Sequence, residues 1–274
     1  MSGFLDDMAR SSAERVRHAQ RRESMVALER RARSVAPAAP LRLSSEAFDV
    51  IAEIKLRSPA AGLLGDQADD WLKRVADYAR GGAAAVSVLT EPSRFDGSLD
   101  HLRQAAAVLQ PLGVPAMRKD FLVDPYQIVE ARAAGAGGVL VILRMLSKAR
   151  ICALLDAAAE HELFVLLEAF DAADLDMARE LLDGRRRDEV ILVGINCRDL
   201  QTLQVVPERF AMLASMLPAH YPGVAESGVA TASDARAMRQ LGYRLALIGT
   251  ALMSNDAPAV LLAEILQAAR TVQV

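Results

Sequence analysis

The feature that most constrains this 274-residue chain is a repeated exchange between two hydrophobic patterns. From residue 48 onward, short runs rich in Val, Ile and Leu occur at 50–54, 84–89, 114–117, 139–143, 164–167, 190–195, 223–225 and 245–248. Amphipathic segments of helical period follow them at 71–80, 98–109, 125–134, 148–161, 172–182, 207–217, 232–241 and 258–270. A strand that is apolar at nearly every position must be covered on both faces, and helices between successive strands are the crossovers of a parallel sheet. Eight such units within ~230 residues are the size of a closed barrel. An open doubly wound sheet would carry a Gly-rich turn after its first strand. Here that strand runs into EIKLRSPAAG instead. Gly81–Gly82, Gly135 and Gly242 follow helical segments, where a left-handed cap belongs. The expected fold is therefore α/β, a (β/α)8 TIM barrel over residues 48–274. A helical extension over residues 1–47 precedes it, with Phe4, Leu5, Met8, Val16, Met25, Val26 and Leu28 as its apolar positions.

Charge and cysteine content narrow the function classes. The chain has 32 Lys+Arg against 35 Asp+Glu, a formal net charge of -3, which lacks the basic excess of a nucleic-acid binder. Two cysteines, Cys152 and Cys197, build no disulfide framework, so a reducing cytoplasm is expected. The first 34 residues lack the apolar core of a signal peptide, and no run is long enough for a membrane helix. The cations are 28 Arg and only four Lys, at Lys55, Lys73, Lys119 and Lys148. Of the two side chains only lysine exchanges its proton readily, so the positions of these four matter. Lys73 and Lys148 fall on helical segments and are expected to face solvent.

Barrel enzymes take their active residues from the C-terminal ends of the strands, and residues two apart on a strand share a face. In Ile51-Ala52-Glu53-Ile54-Lys55 the apolar pair faces the helices, which places Glu53 and Lys55 in the mouth. Met117, Lys119 and Phe121 share a face at the third strand. The fifth strand ends in Glu168, the sixth presents Asn196 and Arg198, and the seventh ends in Glu226-Ser227-Gly228. Ionisable groups at the ends of apolar strands are costly unless paired, and two Lys with three Glu on inward positions of several strands point to a site rather than to solvated ends. The loops ESGV (226–229) and IGTALM (248–253) bring small residues and helix starts together, which suits a phosphate. The four histidines, His18, His101, His161 and His220, stand at no strand C-terminus and give no zinc-ligand or Ser-His-Asp spacing, so no metal is expected.

The stretches VIAEIKLRSP (50–59), SVLTEPSRFDGS (87–98), RKDFLVDPYQIVEARAAGA (118–136), LLEAF (166–170), GINCRDLQTL (194–203), AESGV (225–229) and LIGTALM (247–253) together resemble the indole-3-glycerol-phosphate synthase family. The resemblance covers nearly all of residues 48–260 and implies a cofactor-free carboxy-lyase of tryptophan biosynthesis. It closes the ring of 1-(2-carboxyphenylamino)-1-deoxyribulose 5-phosphate with loss of CO2 and water. It further implies that Lys119 is the general acid of the condensation, that Glu168 is its acid/base partner, and that Glu53 and Lys55 form the pair on the first strand. Asn196, Arg198 and Glu226 would orient hydroxyls and carboxylate, and Ser58, Ser227, Gly228, Gly249 and Thr250 would lie at the substrate and its phosphate. Phe95, Phe121 and Leu140 would wall the anthranilate ring. The chemistry asks for the same types: a carbonyl that becomes an alcohol needs a cationic acid, and a departing hydroxyl and a departing proton need a second acid and a carboxylate base.

Two departures from the family pattern stand out. The usual SPSKG run reads Ser58-Pro59-Ala60-Ala61-Gly62, with a hydroxyl and an amine lost, and Cys197 follows Asn196 where Asn or Ser is usual. Alternation turns Cys197 away from the mouth, so it is expected to be a packed thiol. A paralogue acting on a substituted anthranilate and a catalytically silent binding barrel are the competing readings. A phosphoribosylanthranilate isomerase would need a Cys/Asp strand-end pair that this sequence lacks. The expected partners are a small phosphorylated substrate, no nucleic acid and no membrane, in a monomer or weak homo-oligomer.

Overall fold

The computed structural model describes residues 3–45, 48–58, 62–63, 71–186, 188–199 and 202–272, with the side chains of Ser58 and Leu63 outside the description. Eight parallel strands close into a barrel: β1 (Asp49–Ile54), β2 (Ala85–Leu89), β3 (Ala116–Lys119), β4 (Gly138–Ile142), β5 (Phe164–Ala169), β6 (Ile191–Asn196), β7 (Gly223–Glu226) and β8 (Leu245–Ile248). Neighbours in sequence are neighbours in the barrel, and β1 closes it by pairing with β8, Asp49 opposite Leu245 and Ala52 opposite Ile248. The helices are α1 (Phe4–Arg22) and α2 (Met25–Ser34) ahead of the barrel, then α3 (Trp71–Arg80), α4 (Leu99–Leu109), α5 (Pro125–Ala133), α6 (Lys148–Glu160), α7 (Ala172–Leu182), α8 (Glu208–Leu213), α9 (Ala232–Gln240) and α10 (Pro258–Arg270).

Short polar residues start these helices where the strands release the chain. Ser98, Asp124, Ser147, Asp171 and Thr231 each accept a backbone N–H of the first turn. A cap of this kind contributes about 1 kcal/mol and fixes where each βα loop ends. The caps that matter most are those of α5 and α9, because the loops before them follow directly on Lys119 and Glu226, the last residues of β3 and β7.

Alternation along the strands divides the core in two. Val50, Ala52, Ile54, Val86, Val88, Val139, Val141, Val193 and Ile195 face outward into the helix layer. Ile51, Ala85, Met117, Leu140, Ile142, Phe164, Leu166, Leu192, Val224, Leu245 and Leu247 fill the barrel itself. The extension closes both ends of that inner column. Leu43 lies beside Ile191 and Leu192 at the start of β6, while Phe4, Leu5 and Met8 of α1 pack on the inner cluster at the mouth. Further along, Met8, Ser12 and Val16 form the buried stripe of α1, and Leu28 and Ala32 of α2 pack against Tyr126, Val129 and Ala133 of α5.

Three sequence expectations shift at their edges. β3 begins at Ala116 rather than Val114, because Pro115 has no N–H to give a neighbouring strand. Leu143 leaves β4 and opens a 3₁₀ turn through Met145. The segment expected to be helical over 207–217 is a six-residue α8 followed by a 3₁₀ turn, Ala214–Met216, and Leu217 is extended as the residue before Pro218 must be. The left-handed cap of α3 falls on Gly82 (φ +96°), whereas a side chain at Gly81 would stand 2.9 Å from the Ala259 Cα.

Candidate active site

One cavity of about 440 Å³ opens at the C-terminal ends of the strands. Glu53, Lys55, Phe95, Lys119, Phe121, Leu140, Glu168, Asn196, Arg198, Glu226, Ser227, Gly228, Gly249 and Thr250 all line it. Every residue singled out in the sequence is thus brought together, with the exception of Ser58, whose side chain lies outside the described residues, as does the departing Pro59–Ala60–Ala61 run.

The centre of the mouth is Lys119. Its ammonium stands 3.4 Å from Glu168 and 3.8 Å from Glu226. Register explains the grouping: β5 and β6 pair Glu168 with Gly194, and β6 and β7 pair Asn196 with Glu226. Asn196 donates its Nδ2–H to Glu168 at 3.1 Å, and its Oδ1 accepts the Arg198 backbone N–H at 2.9 Å, which fixes the amide orientation. On β1 the Lys55 ammonium pairs with Glu53 at 2.9 Å.

Electrostatics assign charge states to this cluster. Burial opposes the Lys119 ammonium, but Glu168, Glu226 and Glu53 outweigh it and hold its pKa above the ordinary lysine value. Burial likewise opposes ionisation of Glu53, and Lys55 with Lys119 overcomes it, so this carboxyl stays below the usual range. Glu226 goes the other way. Burial and the neighbouring Glu168 charge push its pKa well up, only partly opposed by Lys119. Among the described residues neither Glu226 oxygen has a hydrogen-bond partner, and its side chain is 1% exposed. The cluster thus favours a cationic Lys119 and an ionised Glu53, while Glu226 is the carboxyl that holds its proton most readily.

Two glycines make room for this arrangement. A Cβ at Gly194 would lie 2.0 Å from Glu226 Oε1. One at Gly249 would lie 2.4 Å from Glu53 Oε1 and 3.0 Å from Lys55 Nζ. The latter distance also locates the Lys55 ammonium at the end of β8, beside Thr250. Ser227 and Gly228 are both left-handed, at φ +62° and +94°, so β7 ends in an abrupt turn ahead of α9. Two adjacent loops of small residues with a lysine beside them form a polar corner of the cavity.

The opposite side is apolar. Phe95, Phe121, Leu140 and Ile142 form the wall, with Phe4 edge-on to Phe121 at 5.7 Å and Phe95 tilted against it at 6.3 Å. Several lining residues were not singled out in the sequence. Ile142 and Leu247 were readable, since each lies two residues from an inward position. Phe4 and Leu5 were not, because nothing in an amphipathic helix says which end of the barrel it covers. Leu203 lines the cavity in a left-handed conformation (φ +61°) and its carbonyl accepts Arg198 Nη1 at 2.7 Å; no pattern announces this.

Cys197, Lys73 and Lys148 lie where the sequence put them. Cys197 is fully buried in the outer core and burial pushes its thiol up to about 12, so it is no nucleophile. Lys73 and Lys148 are exposed and pair with Asp77 and Glu180. Among the described residues, no group of three or more His, Cys, Asp or Glu side chains is arranged to hold a metal ion, and no helix is long and apolar enough to cross a membrane.

Comparison with known proteins gives the same direction from independent information. Among solved structures, 3-hexulose-6-phosphate synthase from Salmonella typhimurium superposes with a TM-score of 0.61 at 11% identity, covering 81% of this chain and 98% of that one. Thiamine phosphate pyrophosphorylase from Pyrococcus furiosus gives 0.57 at 12% identity, over 82% and 96%. These likenesses show the barrel alone. Sequence relatives are much nearer. The indole-3-glycerol phosphate synthase of Bordetella pertussis is 39% identical over 256 residues, 93% of this chain and 91% of its own length. That of Leifsonia xyli subsp. xyli is 38% identical over 264 residues, 95% and 94%. The family profile for indole-3-glycerol phosphate synthase matches residues 5–265, from α1 to α10, and the chain belongs to that family.

Proposed function

We propose that this chain closes the indole ring of 1-(2-carboxyphenylamino)-1-deoxyribulose 5-phosphate, releasing CO2 and water, with Lys119, Glu168, Glu53 and Lys55 as its acid and base groups. The observation that carries the reading is the placement of a single protonated lysine, Lys119, between two carboxyl groups at the foot of an apolar wall. The wall suits the anthranilate ring, and the corner formed by Ser227, Gly228, Gly249, Thr250 and Lys55 suits the phosphate. Between them the chain of the sugar passes Lys119, Asn196 and Arg198.

In this reading the ring carbon bearing the carboxylate bonds to the keto carbon. The carbonyl oxygen gains negative charge and takes a proton from Lys119, since an alkoxide is a far stronger base than an amine. CO2 then leaves and returns its electron pair to the ring. The new hydroxyl departs as water with a proton from an acid, and a carboxylate accepts the last proton as the indole forms. Glu168 is placed to exchange protons with Lys119. Glu226, whose pKa is pushed up by burial and by Glu168, is suited to give a proton to a substrate hydroxyl, and the Glu53–Lys55 pair faces the phosphate end. Substrate-orienting roles for Asn196 and Arg198 follow from their position.

The finer setting belongs to the same proposal. A small phosphorylated molecule is the partner rather than nucleic acid, given the near-balanced charge. Cys152 and Cys197 are both unpaired thiols, which suits the cytoplasm. We infer a monomer or weak homo-oligomer. The direct test is to mix purified protein with the carboxyphenylamino substrate and follow indole absorbance; a folded protein without turnover would overturn the proposal.

A further inference from the structure

The residue after Lys119 is the hub of a polar network that the mechanism above does not use. Asp120 is fully buried and accepts four side-chain hydrogen bonds and one from the backbone. Arg15 of α1 reaches it with both terminal nitrogens, at 2.9 and 2.7 Å. Thr90 donates its hydroxyl at 2.7 Å, Arg118 donates at 3.1 Å and the Phe121 N–H at 2.8 Å. Burial alone would raise the pKa of this carboxyl, but Arg15, Arg118 and Thr90 hold it well below the usual carboxylate range. A second tie lies one turn earlier on α1, where Ser12 Oγ accepts from Gln127 of α5 at 2.9 Å.

These ties are distributed unevenly along α1. Its later part is held by Val16 in the cluster with Tyr126, and by the Tyr126 hydroxyl on the Glu23 carbonyl at 2.9 Å. Its first turns carry Phe4 and Leu5 over the apolar wall, about 16 Å up the helix from Arg15. Contacts of Phe4 and Leu5 are apolar and non-directional, so they set depth but not position along the mouth. The bidentate Arg15–Asp120 fork is directional and joins α1 to the strand end that bears Lys119.

We propose that Arg15 is a positioning residue for the reaction: through Asp120 it sets the register of α1 on β3, so that Phe4 and Leu5 roof the ring pocket at a fixed distance from Lys119. The inference rests on the ring-closure reading for its kinetic consequence, and on the geometry alone for its structural one.

The test compares the full chain with Arg15→Ala, Arg15→Lys, Phe4→Ala, the Arg15→Ala/Phe4→Ala double variant and Arg31→Ala. The last removes another bidentate fork of the extension, Arg31 on Glu23, which is remote from the mouth. Arg15→Ala should raise KM about tenfold with kcat within about twofold, as expected when a binding wall is misplaced. Arg15→Lys should recover part of the loss, and Arg31→Ala should leave KM unchanged. Because Arg15 acts through Phe4, the double variant should be no worse than the more severe single variant, whereas independent effects would multiply. Multiplying effects, an unchanged KM in Arg15→Ala, or an equal rise in Arg31→Ala would overturn the proposal. Hydrogen exchange decides the structural half without turnover: Arg15→Ala should speed exchange over residues 5–12 about tenfold and leave Met25–Ser34 as it was. Unchanged exchange would overturn it, while a wild-type chain without turnover would count against the ring-closure reading alone.

Discussion

The floor and the roof of the mouth are built by different means. The floor consists of Glu53, Lys119, Glu168, Asn196 and Glu226 on five strands whose relative heights are fixed by barrel register. The roof is one end of a helix from outside the barrel, holding Phe4 and Leu5 by packing and by an ion pair formed over 105 residues of chain. A floor of this kind keeps charges at a set spacing because moving one would mean shifting a strand. A roof of this kind can be altered without disturbing the floor. Substitutions below should therefore affect chemistry, and substitutions above should affect binding.

The largest effect is expected at Lys119. Lys119→Met should lower kcat by about 10³-fold or more with the substrate Kd nearly unchanged, measured by titration of the inactive variant. Lys119→Arg should fail almost as badly, since guanidinium does not release its proton. An active Met variant would remove the proton-donor role of the floor altogether. Glu168→Gln comes next, with a fall of about 10²-fold in kcat; a change confined to KM would move this residue from chemistry to binding.

Phe4→Ala tests the other half of the comparison. KM should rise several-fold, on the order of 1 kcal/mol of lost apolar contact, with kcat nearly constant. A large loss of kcat instead would mean that roof and floor are not separable.

The smallest effect concerns stability. Because the folded-state pKa of Glu226 is raised, its contribution is fully present below the unfolded-state value of about 4.5 and is lost as pH rises towards the folded value. Glu226→Gln cannot titrate. Its Tm should match that of the wild type near pH 4 and exceed it by a few degrees near pH 8, as thermal unfolding at the two pH values would show. A Tm gain of equal size at both pH values would contradict a neutral acid at this position.

The same division explains what could be read in advance. All eight strands and the inward placement of Glu53, Lys55, Lys119, Glu168, Asn196, Arg198 and Glu226 followed from apolar runs and from two-residue alternation, because a closed parallel barrel leaves inward positions only one direction to point. Glu53 and Lys55 were placed by Ala52 and Ile54 facing the helices, and the structure has that arrangement. Gly194 carried a weaker signal, a glycine inside a strand, whose meaning needed the Glu226 carboxyl beside it. Phe4, Leu5 and Arg15 were not legible in this sense. Their periodicity marks a helix face, but where that face docks depends on partners more than 100 residues away, Asp120, Phe121 and Leu140. Arg118 was passed over for a related reason: as the odd residue between Met117 and Lys119 it points into the helix layer, where it is buried against the Gln127 carbonyl and Glu130.

The seam where β1 meets β8 has a consequence for synthesis on the ribosome. Glu53 and Lys55 emerge early, yet the edge that pairs with their strand is residues 245–248, and Gly249 beside them follows directly. A nascent chain therefore carries these two residues on an open-edged sheet for most of translation. Contacts so distant in sequence are slow to form, and open strand edges invite mispairing. The mouth is complete only once β8 has left the exit tunnel and paired with β1.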